Sequence, residues 1–138
     1  MTETNFPFPS DGKRYYTWNR YLRNEFGKKV YKVALDAGFD CPNRDGTVAF
    51  GGCTFCSAAG SGDFAGNKVD PIAVQFEQIK EKMEHKWKNG LTMAYFQAYT
   101  NTHAPLPVLK EKFEAALACE GVMGLSIATR PDCLPDDV

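Results

Sequence analysis

Strand-like and helix-like segments alternate along this chain, and the alternation restricts its fold more than any other feature. Strands are predicted at residues 29–36, 91–99 and 122–128, because these runs are rich in β-branched, aromatic and other apolar residues. Helices are predicted between them, at residues 71–89 and 107–119. Strands that alternate with helices of this length form parallel sheets. The sequence therefore predicts an α/β fold.

The predicted helices carry start and stop signals. A helix at residues 17–26 precedes the first strand and is ended by Gly27, which suits the left-handed C′ position. In the next helix, Asp70 is predicted as the N-cap and Pro71 as the first helical residue, and Gly90 ends it. The residues that the second and third helices should bury are Ile72, Phe76, Ile79, Met83 and Trp87, and then Leu109, Phe113, Ala116 and Leu117.

A long segment without periodicity, residues 37–67, follows the first strand. It is dominated by Gly, Asp, Asn, Ser and Cys, and segments longer than about 12–15 residues without secondary structure are usually functional or disordered. In parallel α/β folds, ligands gather at the carboxyl ends of the strands. Those ends are residues 36–41, 99–103 and 129–133, and all three are polar or contain cysteine. We therefore expect a functional site on that face.

The composition narrows the class of protein. The chain has 16 Lys and Arg against 17 Asp and Glu, which excludes a wholly basic nucleic-acid binder. No run approaches the roughly 18 apolar residues of a membrane span, and the N-terminus lacks the features of a secretory signal. Five cysteines, an odd number, argue against a disulfide framework. The expectation is a cytoplasmic protein with reduced thiols.

Three of the cysteines form the motif Cys41-x11-Cys53-x2-Cys56 within the long segment. Soft thiolate ligands favour iron–sulfur clusters or zinc. Zinc would need a fourth protein ligand. The candidates for that ligand are Cys119, Cys133, His85 and His103. A thiol–disulfide centre or inert thiols are further alternatives, and the spacing alone leaves all of these open.

Three blocks of the sequence together resemble a known family. They are ALDAGFDCPNRDGTVAFGGCTFCSAAGSGDF, YFQAYTNTHAP and IATRPDCLPDD. These blocks are similar to the radical S-adenosylmethionine (radical SAM) family known as YhcC/YtqA, which is related to the catalytic subunit of Elongator. The resemblance covers nearly the whole chain from Arg14 onward, and it favours an iron–sulfur cluster over zinc.

The resemblance implies a partial TIM-type (β/α) barrel, of which this chain would hold about the first half. It implies a basic, aromatic N-terminal extension at residues 1–28 and a radical SAM core at residues 29–138, with the cluster loop at residues 37–67. The later strands that complete the SAM and substrate sites would then be missing. The fragment alone is therefore expected to be inactive.

The resemblance also implies roles for individual residues. Cys41, Cys53 and Cys56 match the three ligands of a [4Fe–4S] cluster, whose remaining iron would bind SAM. The long gap between the first two cysteines departs from the CxxxCxxC motif of most radical SAM enzymes, but it is the pattern of this branch of the family. Phe55 matches the aromatic position that packs against the SAM adenine, and a hydrophobic plug for the loop is the alternative. The other implied cofactor-binding residues are Gln97, Thr100 and Asn101, in place of the usual Gly-Gly-Glu, with Arg130 and Asp132. The catalytic residues stay unknown, with Cys133 as a candidate thiol.

The activity implied by the resemblance is generation of a 5′-deoxyadenosyl radical from SAM, which then abstracts a hydrogen from the substrate. The implied substrate is tRNA, in which a carboxymethylaminomethyl group on the wobble uridine becomes aminomethyl. The implied partners are SAM, tRNA and an electron donor such as flavodoxin or ferredoxin, with no membrane. Bases and aromatics interleaved between Lys13 and Lys32 suit contact with RNA. The alternative is a zinc-binding RNA-interaction module that uses the same cysteines without catalysis.

Overall fold

The computed structural model describes residues 13–138, so the first part of the predicted N-terminal extension, residues 1–12, lies outside the described residues. Three helices and three strands follow one another. They are α1 (Trp18–Phe26), β1 (Val30–Leu35), α2 (Ile72–Glu84), β2 (Leu91–Phe96), α3 (Leu106–Leu117) and β3 (Val122–Ile127), followed by a short 3-10 turn at Pro131–Cys133. The predicted order of helices and strands is confirmed.

The strands form a parallel, open sheet in the order β1-β2-β3. Val33 of β1 lies beside Ala94 of β2, which in turn lies beside Leu125 of β3. The connections through α2 and α3 allow each strand to run in the same direction. The α/β class with a parallel sheet is thus confirmed, and the carboxyl ends of all three strands share one edge.

One face of the sheet carries the apolar core. Side chains alternate along a strand, so Val33 and Leu35 point to the same face as Ala94 and Phe96. Phe76 of α2 is fully buried against this face. Full burial of such a side chain contributes about 1.5–3 kcal/mol. Other core members are Tyr31, Ile72 and Ala116, with Ile79, Met83, Trp87 and Phe113 packed around them.

The opposite face of the sheet is open. Lys32 is exposed and its neighbours on this face, Ala34 and Tyr95, are only half-buried. Trp18 and Leu22 of α1 share a cavity of about 440 Å³ with Lys32, Tyr95 and other residues of this face. The sheet is therefore covered by α2 and α3 on one face. On the other face α1 lies against β1, where Val30 is buried, while Lys32 stays accessible.

The termini of α1 follow their predicted signals. Thr17 is the N-cap, and its hydroxyl accepts a hydrogen bond from the backbone N–H of Arg20 at 3.1 Å. Gly27 ends the helix at a φ of 69° and donates its N–H to the carbonyl of Arg23. The glycine supplies the left-handed conformation that a side chain would disfavour.

The predicted cap of α2 is wrong. Pro71 occupies the N-cap position and makes no side-chain cap, while the carbonyl of Asp70 accepts a hydrogen bond from Gln75 Nε2 at 2.9 Å. Gln75 is fully buried and also pairs with the backbone of Asp36, as donor to its carbonyl and as acceptor from its N–H. Gln75 thus fixes the start of α2 against the end of β1, a contact that local helix signals do not contain.

Two further expectations need correction. Leu117 is half exposed rather than buried, because Ala116 and not Leu117 faces the core in the last turn of α3. β2 ends at Phe96, three residues earlier than predicted, and the chain reaches a positive φ of 57° at Tyr99.

The predicted long loop is confirmed. Residues 36–71 contain no helix or strand, apart from an isolated bridge between Asp45 and Phe50. We call this segment the cysteine loop. In the part of the chain that the structure describes, no helix is long and apolar enough to cross a membrane.

Candidate functional site

A cavity of about 670 Å³ opens at the carboxyl edge of the sheet. All three cysteines of the sequence motif line it. The ends of β2 and β3 contribute further wall residues, namely Gln97, Tyr99, Thr100, Ala128 and Arg130. The expectation that the strand ends and the cysteine motif meet on one face is therefore confirmed.

Cys41 lies in the most polar surroundings of the three thiols. Burial acts to raise the pKa of its thiol, but hydrogen bonds from Thr100 and Asn43, with the Arg130 guanidinium, lower that pKa overall. Arg130 Nη1 is 3.9 Å from Cys41 Sγ. Since the thiolate is the metal-binding form of cysteine, these contacts favour ligation by Cys41.

Cys53 and Cys56 lie on the same turn of the loop. Asn43 Nδ2 donates a hydrogen bond to Cys53 Sγ at 3.2 Å. The N–H of Cys56 donates to the carbonyl of Cys53 at 3.1 Å, which closes the turn between them. Hydrogen bonds to ligand sulfurs are a common way to orient metal ligands and to tune a cluster.

The donor set of this cavity suits a thiolate-ligated group. Three cysteines without a fourth protein ligand leave a coordination position open, and soft thiolates favour iron–sulfur clusters or zinc. Within residues 13–138, however, no three His, Cys, Asp or Glu side chains lie close enough together to hold a metal ion as they stand. The three thiols therefore line one cavity without forming a closed coordination site in this conformation.

None of the four candidates for a zinc ligand lines the cavity of the three thiols. Cys133 is buried beside a second cavity of about 520 Å³, and His103 on the same cavity bonds Asp45 at 2.6 Å. Cys119 packs against the core, and His85 is exposed at the C-cap of α2. The His103–Asp45 contact joins residues that are 58 positions apart in the chain.

The contact with His103 belongs to a small polar cluster in the cysteine loop. The hydroxyl and the N–H of Thr47 both donate to Asp45 Oδ1. Together with His103 they lower the pKa of Asp45 to about 2. This cluster ties the first half of the cysteine loop to the segment that follows β2.

The residues expected to bind the amino group of SAM fall into two groups. Gln97 and Thr100 line the cavity, and Gln97 Nε2 donates to the carbonyl of Ser61. Asn101 does not line it: it is fully buried, and its Nδ2 donates to the carbonyls of Phe96 and Ala128 at 3.2 and 2.9 Å. Asn101 therefore joins the ends of β2 and β3, and its expected contact with SAM stays a prediction.

Arg130 and Asp132 form a bidentate ion pair at the end of β3. Arg130 Nε and Nη2 donate to the two carboxylate oxygens of Asp132 at 2.9 and 2.7 Å. The pair lowers the pKa of Asp132 and raises that of Arg130. Arg130 lines the cysteine cavity, whereas Asp132 lines the second cavity with Cys133. Asp132 thus orients the guanidinium rather than facing the thiols itself.

Phe55 stands at the mouth of the cysteine cavity with 85% of its surface exposed. A side chain so exposed does not plug the loop, which removes that alternative. The ring is accessible to a planar ligand in the cavity.

The chain is similar to three longer proteins. It is 67% identical over 138 residues to the uncharacterized protein YtqA of Bacillus subtilis, covering all of this chain and 43% of YtqA. It is 41% identical over 121 residues to protein YhcC of Escherichia coli K12, covering 85% of this chain and 37% of YhcC. It is 36% identical over 135 residues to the uncharacterized protein MJ0486 of Methanocaldococcus jannaschii, covering 91% of this chain and 38% of that protein.

The chain thus spans about two fifths of the length of these relatives. No protein-family model matches the chain, and no solved structure matches it.

Sequence reasoning assigned no individual role to several residues of the cavity wall, among them Asn43, Arg44 and Tyr99. Asn43 follows Cys41 by two positions, so its proximity to the motif was the available signal. Tyr99 begins the predicted strand end at residues 99–103, but its contact with Arg44 arises only through the fold, with the guanidinium carbon 4.7 Å from the centre of the ring.

Proposed function

We propose that this chain is the N-terminal part of a radical SAM enzyme of the YhcC/YtqA type. The observation that carries the proposal is the meeting of Cys41, Cys53 and Cys56 at one cavity on the carboxyl edge of a parallel sheet. This is the edge where parallel α/β folds bind ligands and cofactors. The three-stranded open sheet supports the finer proposal of a partial (β/α) barrel, completed by the remainder of a longer chain.

In this proposal the three cysteines hold a [4Fe–4S] cluster and the polar wall holds SAM. When bound, the cluster and SAM supply a 5′-deoxyadenosyl radical that abstracts hydrogen from an unreactive carbon, and a flavodoxin or ferredoxin supplies the electron. Hydrogen bonds from Thr100 and Arg130 help to lower the pKa of the Cys41 thiol, which favours its thiolate form. Phe55 offers a ring for stacking, and Gln97 offers an amide at the end of β2. The protein's own task is to position these groups.

The proposed substrate is tRNA, modified at the wobble uridine from carboxymethylaminomethyl to aminomethyl. Support comes from the exposed aromatic surface of α1, where Trp18 and Tyr21 stack at 5.3 Å with an interplanar angle of 18°. Exposed aromatic rings beside basic side chains are typical of surfaces that bind unpaired bases. Lys32 and Tyr95 line both the cavity beside α1 and the cysteine cavity. A nucleic acid on α1 would therefore lie next to the proposed reaction site.

Anaerobic reconstitution with iron and sulfide tests the cluster. We expect uptake of four iron atoms per chain, a number that follows from the proposed [4Fe–4S] cluster, with broad thiolate–iron absorbance. Cys53→Ala should abolish this uptake, whereas Cys119→Ala should retain it because Cys119 packs against the core. Stoichiometric zinc without iron uptake would contradict the proposal and favour the zinc-binding module.

The substrate is tested by mass spectrometry of tRNA nucleosides from a strain in which the gene is deleted. Carboxymethylaminomethyl-uridine should accumulate at the expense of the aminomethyl form. An unchanged wobble-uridine profile would contradict the tRNA proposal while leaving the cluster proposal intact.

The surface of α1 is tested by binding of an anticodon stem–loop RNA. Trp18→Ala should weaken binding roughly five- to hundredfold, the range expected for one base stacked on an aromatic ring. Phe64→Ala is the matched control, since Phe64 is an exposed aromatic of the cysteine loop outside the α1 cavity. Equal affinities of the two variants would exclude Trp18 from the RNA surface.

A further inference from the structure

Tyr99 holds an unusual position at the end of β2. Its φ is 57°, in the left-handed region that non-glycine residues seldom adopt. It lies one residue before Thr100, which bonds Cys41. A conformation of this kind persists only where surrounding contacts maintain it.

Those contacts come from the cysteine loop just after Cys56. The N–H of Tyr99 donates to the carbonyl of Gly60 at 3.1 Å, and the Tyr99 hydroxyl donates to the carbonyl of Ala58 at 2.6 Å. The ring lies directly on Gly60, where any Cβ would clash with it. Gly60 is therefore required for this close approach. Residues 58–60 are fastened to the end of β2 by both the backbone and the side chain of one tyrosine.

The Tyr99 ring also reaches the loop segment before Cys53. The Arg44 guanidinium carbon lies 4.7 Å from the centre of the ring. The aliphatic part of Arg44 packs beside Gly52, where an added Cβ would lie 3.4 Å from Arg44 Cγ. Arg44 thereby connects Tyr99 to the residue that precedes Cys53. A guanidinium stacked on an aromatic face is a favourable and geometrically specific contact.

We propose that Tyr99 is a positioning residue that preorganises the cysteine loop for its metal group. Tyr99 contacts the segments that flank Cys53 and Cys56, and its neighbour Thr100 contacts Cys41, so the rigid end of β2 holds all three ligand segments. Preorganisation lowers the cost of ordering the loop when the ligand binds. The inference rests on the proposed function, because it assigns the metal group to the three cysteines.

The test uses Co²⁺ as a probe for thiolate ligation in the reduced, metal-free protein. Tyr99→Phe removes only the hydrogen bond to Ala58 and should weaken Co²⁺ binding roughly two- to tenfold, the value of one such bond. Tyr99→Leu also removes the ring that Arg44 stacks on, and it should weaken binding further and alter the sulfur-to-cobalt absorbance. The Co²⁺ affinity of Tyr99→Phe should therefore lie between those of the wild type and Tyr99→Leu.

Tyr95→Phe is the matched control. Tyr95 lines the same cavity, but its ring contacts Lys32 on the open face of the sheet. Its Co²⁺ affinity should equal that of the wild type. Hydrogen exchange of the metal-free protein gives a second readout: backbone amides of residues 57–66 should exchange faster in Tyr99→Leu, while those of β2 stay protected.

The outcomes separate the two proposals. A wild-type protein that takes up no Co²⁺ on its thiols would contradict the proposed function and, with it, the inference. If the wild type binds Co²⁺ and both Tyr99→Phe and Tyr99→Leu bind it equally well, with unchanged hydrogen exchange at residues 57–66, then Tyr99 has no positioning role. The proposed function would stand in that case.

Discussion

The two faces of the sheet are built on different principles. Under α2 and α3, side chains such as Phe76 and Phe96 are fully buried in an apolar core. At the carboxyl edge and on the open face, polar side chains such as Thr100 and Arg130 surround a cavity. Hydrophobic burial dominates the stability of a domain, and pre-arranged polar groups serve binding. The comparison indicates that stability and proposed chemistry are carried by separate residues.

The cysteine loop belongs to the region at the carboxyl edge and the open face of the sheet. Hydrogen bonds and close glycine contacts hold much of it: Tyr99 fastens residues 58–60, and Asp45 bonds His103. Phe39 adds a buried apolar side chain near the start of the loop. Substitutions in the two regions should therefore have separable effects on unfolding and on ligand binding.

The largest expected effect is on the helix-covered face. Phe76→Ala removes a fully buried ring and should lower the free energy of unfolding by about 3–5 kcal/mol. Phe64→Ala makes the same substitution at a residue that is 90% exposed, and it should change that free energy by no more than about 0.5 kcal/mol. Urea unfolding of both variants measures the difference. Equal destabilisation would break the distinction between the two regions.

A smaller loss is expected at the junction of the two regions. Gln75→Ala leaves the backbone groups of Asp36 and Asp70 without their side-chain partner, and it should cost about 1–3 kcal/mol. Gln78→Ala, one turn later on the exposed surface of α2, is the control and should be nearly neutral. Thermal unfolding of the pair decides; a neutral Gln75→Ala would show that the link between α2 and β1 is dispensable.

Acid should weaken the cysteine loop through Asp45. Hydrogen bonds from Thr47 and His103 lower the pKa of Asp45 from 3.8 to about 2 in the folded protein. Because the folded pKa lies below the unfolded one, the contribution of Asp45 is complete above about pH 4 and disappears as the pH falls toward about 2. The stability gap between the wild type and Asp45→Asn should narrow over this range in thermal scans. A gap that stays constant would mean that Asp45 is not held by these contacts.

The smallest effect on stability is expected at Phe55. Phe55→Ala should change the free energy of unfolding by less than about 0.5 kcal/mol, since the ring is exposed. Iron uptake should be retained, but SAM binding should weaken roughly two- to tenfold if the ring stacks on the adenine. Equilibrium dialysis measures the SAM affinity of Phe55→Ala, with Phe64→Ala as the control. An affinity equal to that of the wild type would remove Phe55 from the proposed site.

The sequence predicts the features of this fold that depend on residues close together in the chain, and it fails where distant residues decide. The strands, the helices and the end of α1 at Gly27 rest on local periodicity and turn chemistry, and they are confirmed, although α2 ends at Glu84, before its predicted stop at Gly90. Asp70 failed as a cap because α2 starts one residue later than predicted, with the N–H of Gln75 bonded to the carbonyl of Pro71. Leu117 failed because Ala116, not Leu117, faces the core in the last turn of α3.

The candidate site also has features that local patterns predict and contacts that only the fold creates. The sequence placed Cys41, Thr100 and Arg130 on one edge, because parallel strands end together. It did not contain the contacts of Asn101, which is buried and bridges the ends of β2 and β3, and the role of Asn101 in SAM binding stays a prediction. The division at residues 28 and 29, the cofactors and the substrate stay predictions.

By itself, the sequence determined the class of fold, the position of the long loop and the edge at which the cysteines meet. These features depend on the spacing of apolar residues, on the positions of glycine and on the shared direction of parallel strands. All of these can be read from residues that are close together in the chain. Only the tertiary structure decided that Arg44 and Tyr99 join across 55 positions and that Gly60 receives the ring. Contacts between residues so distant in the chain depend on how the sheet and the loop pack, and no local pattern contains them.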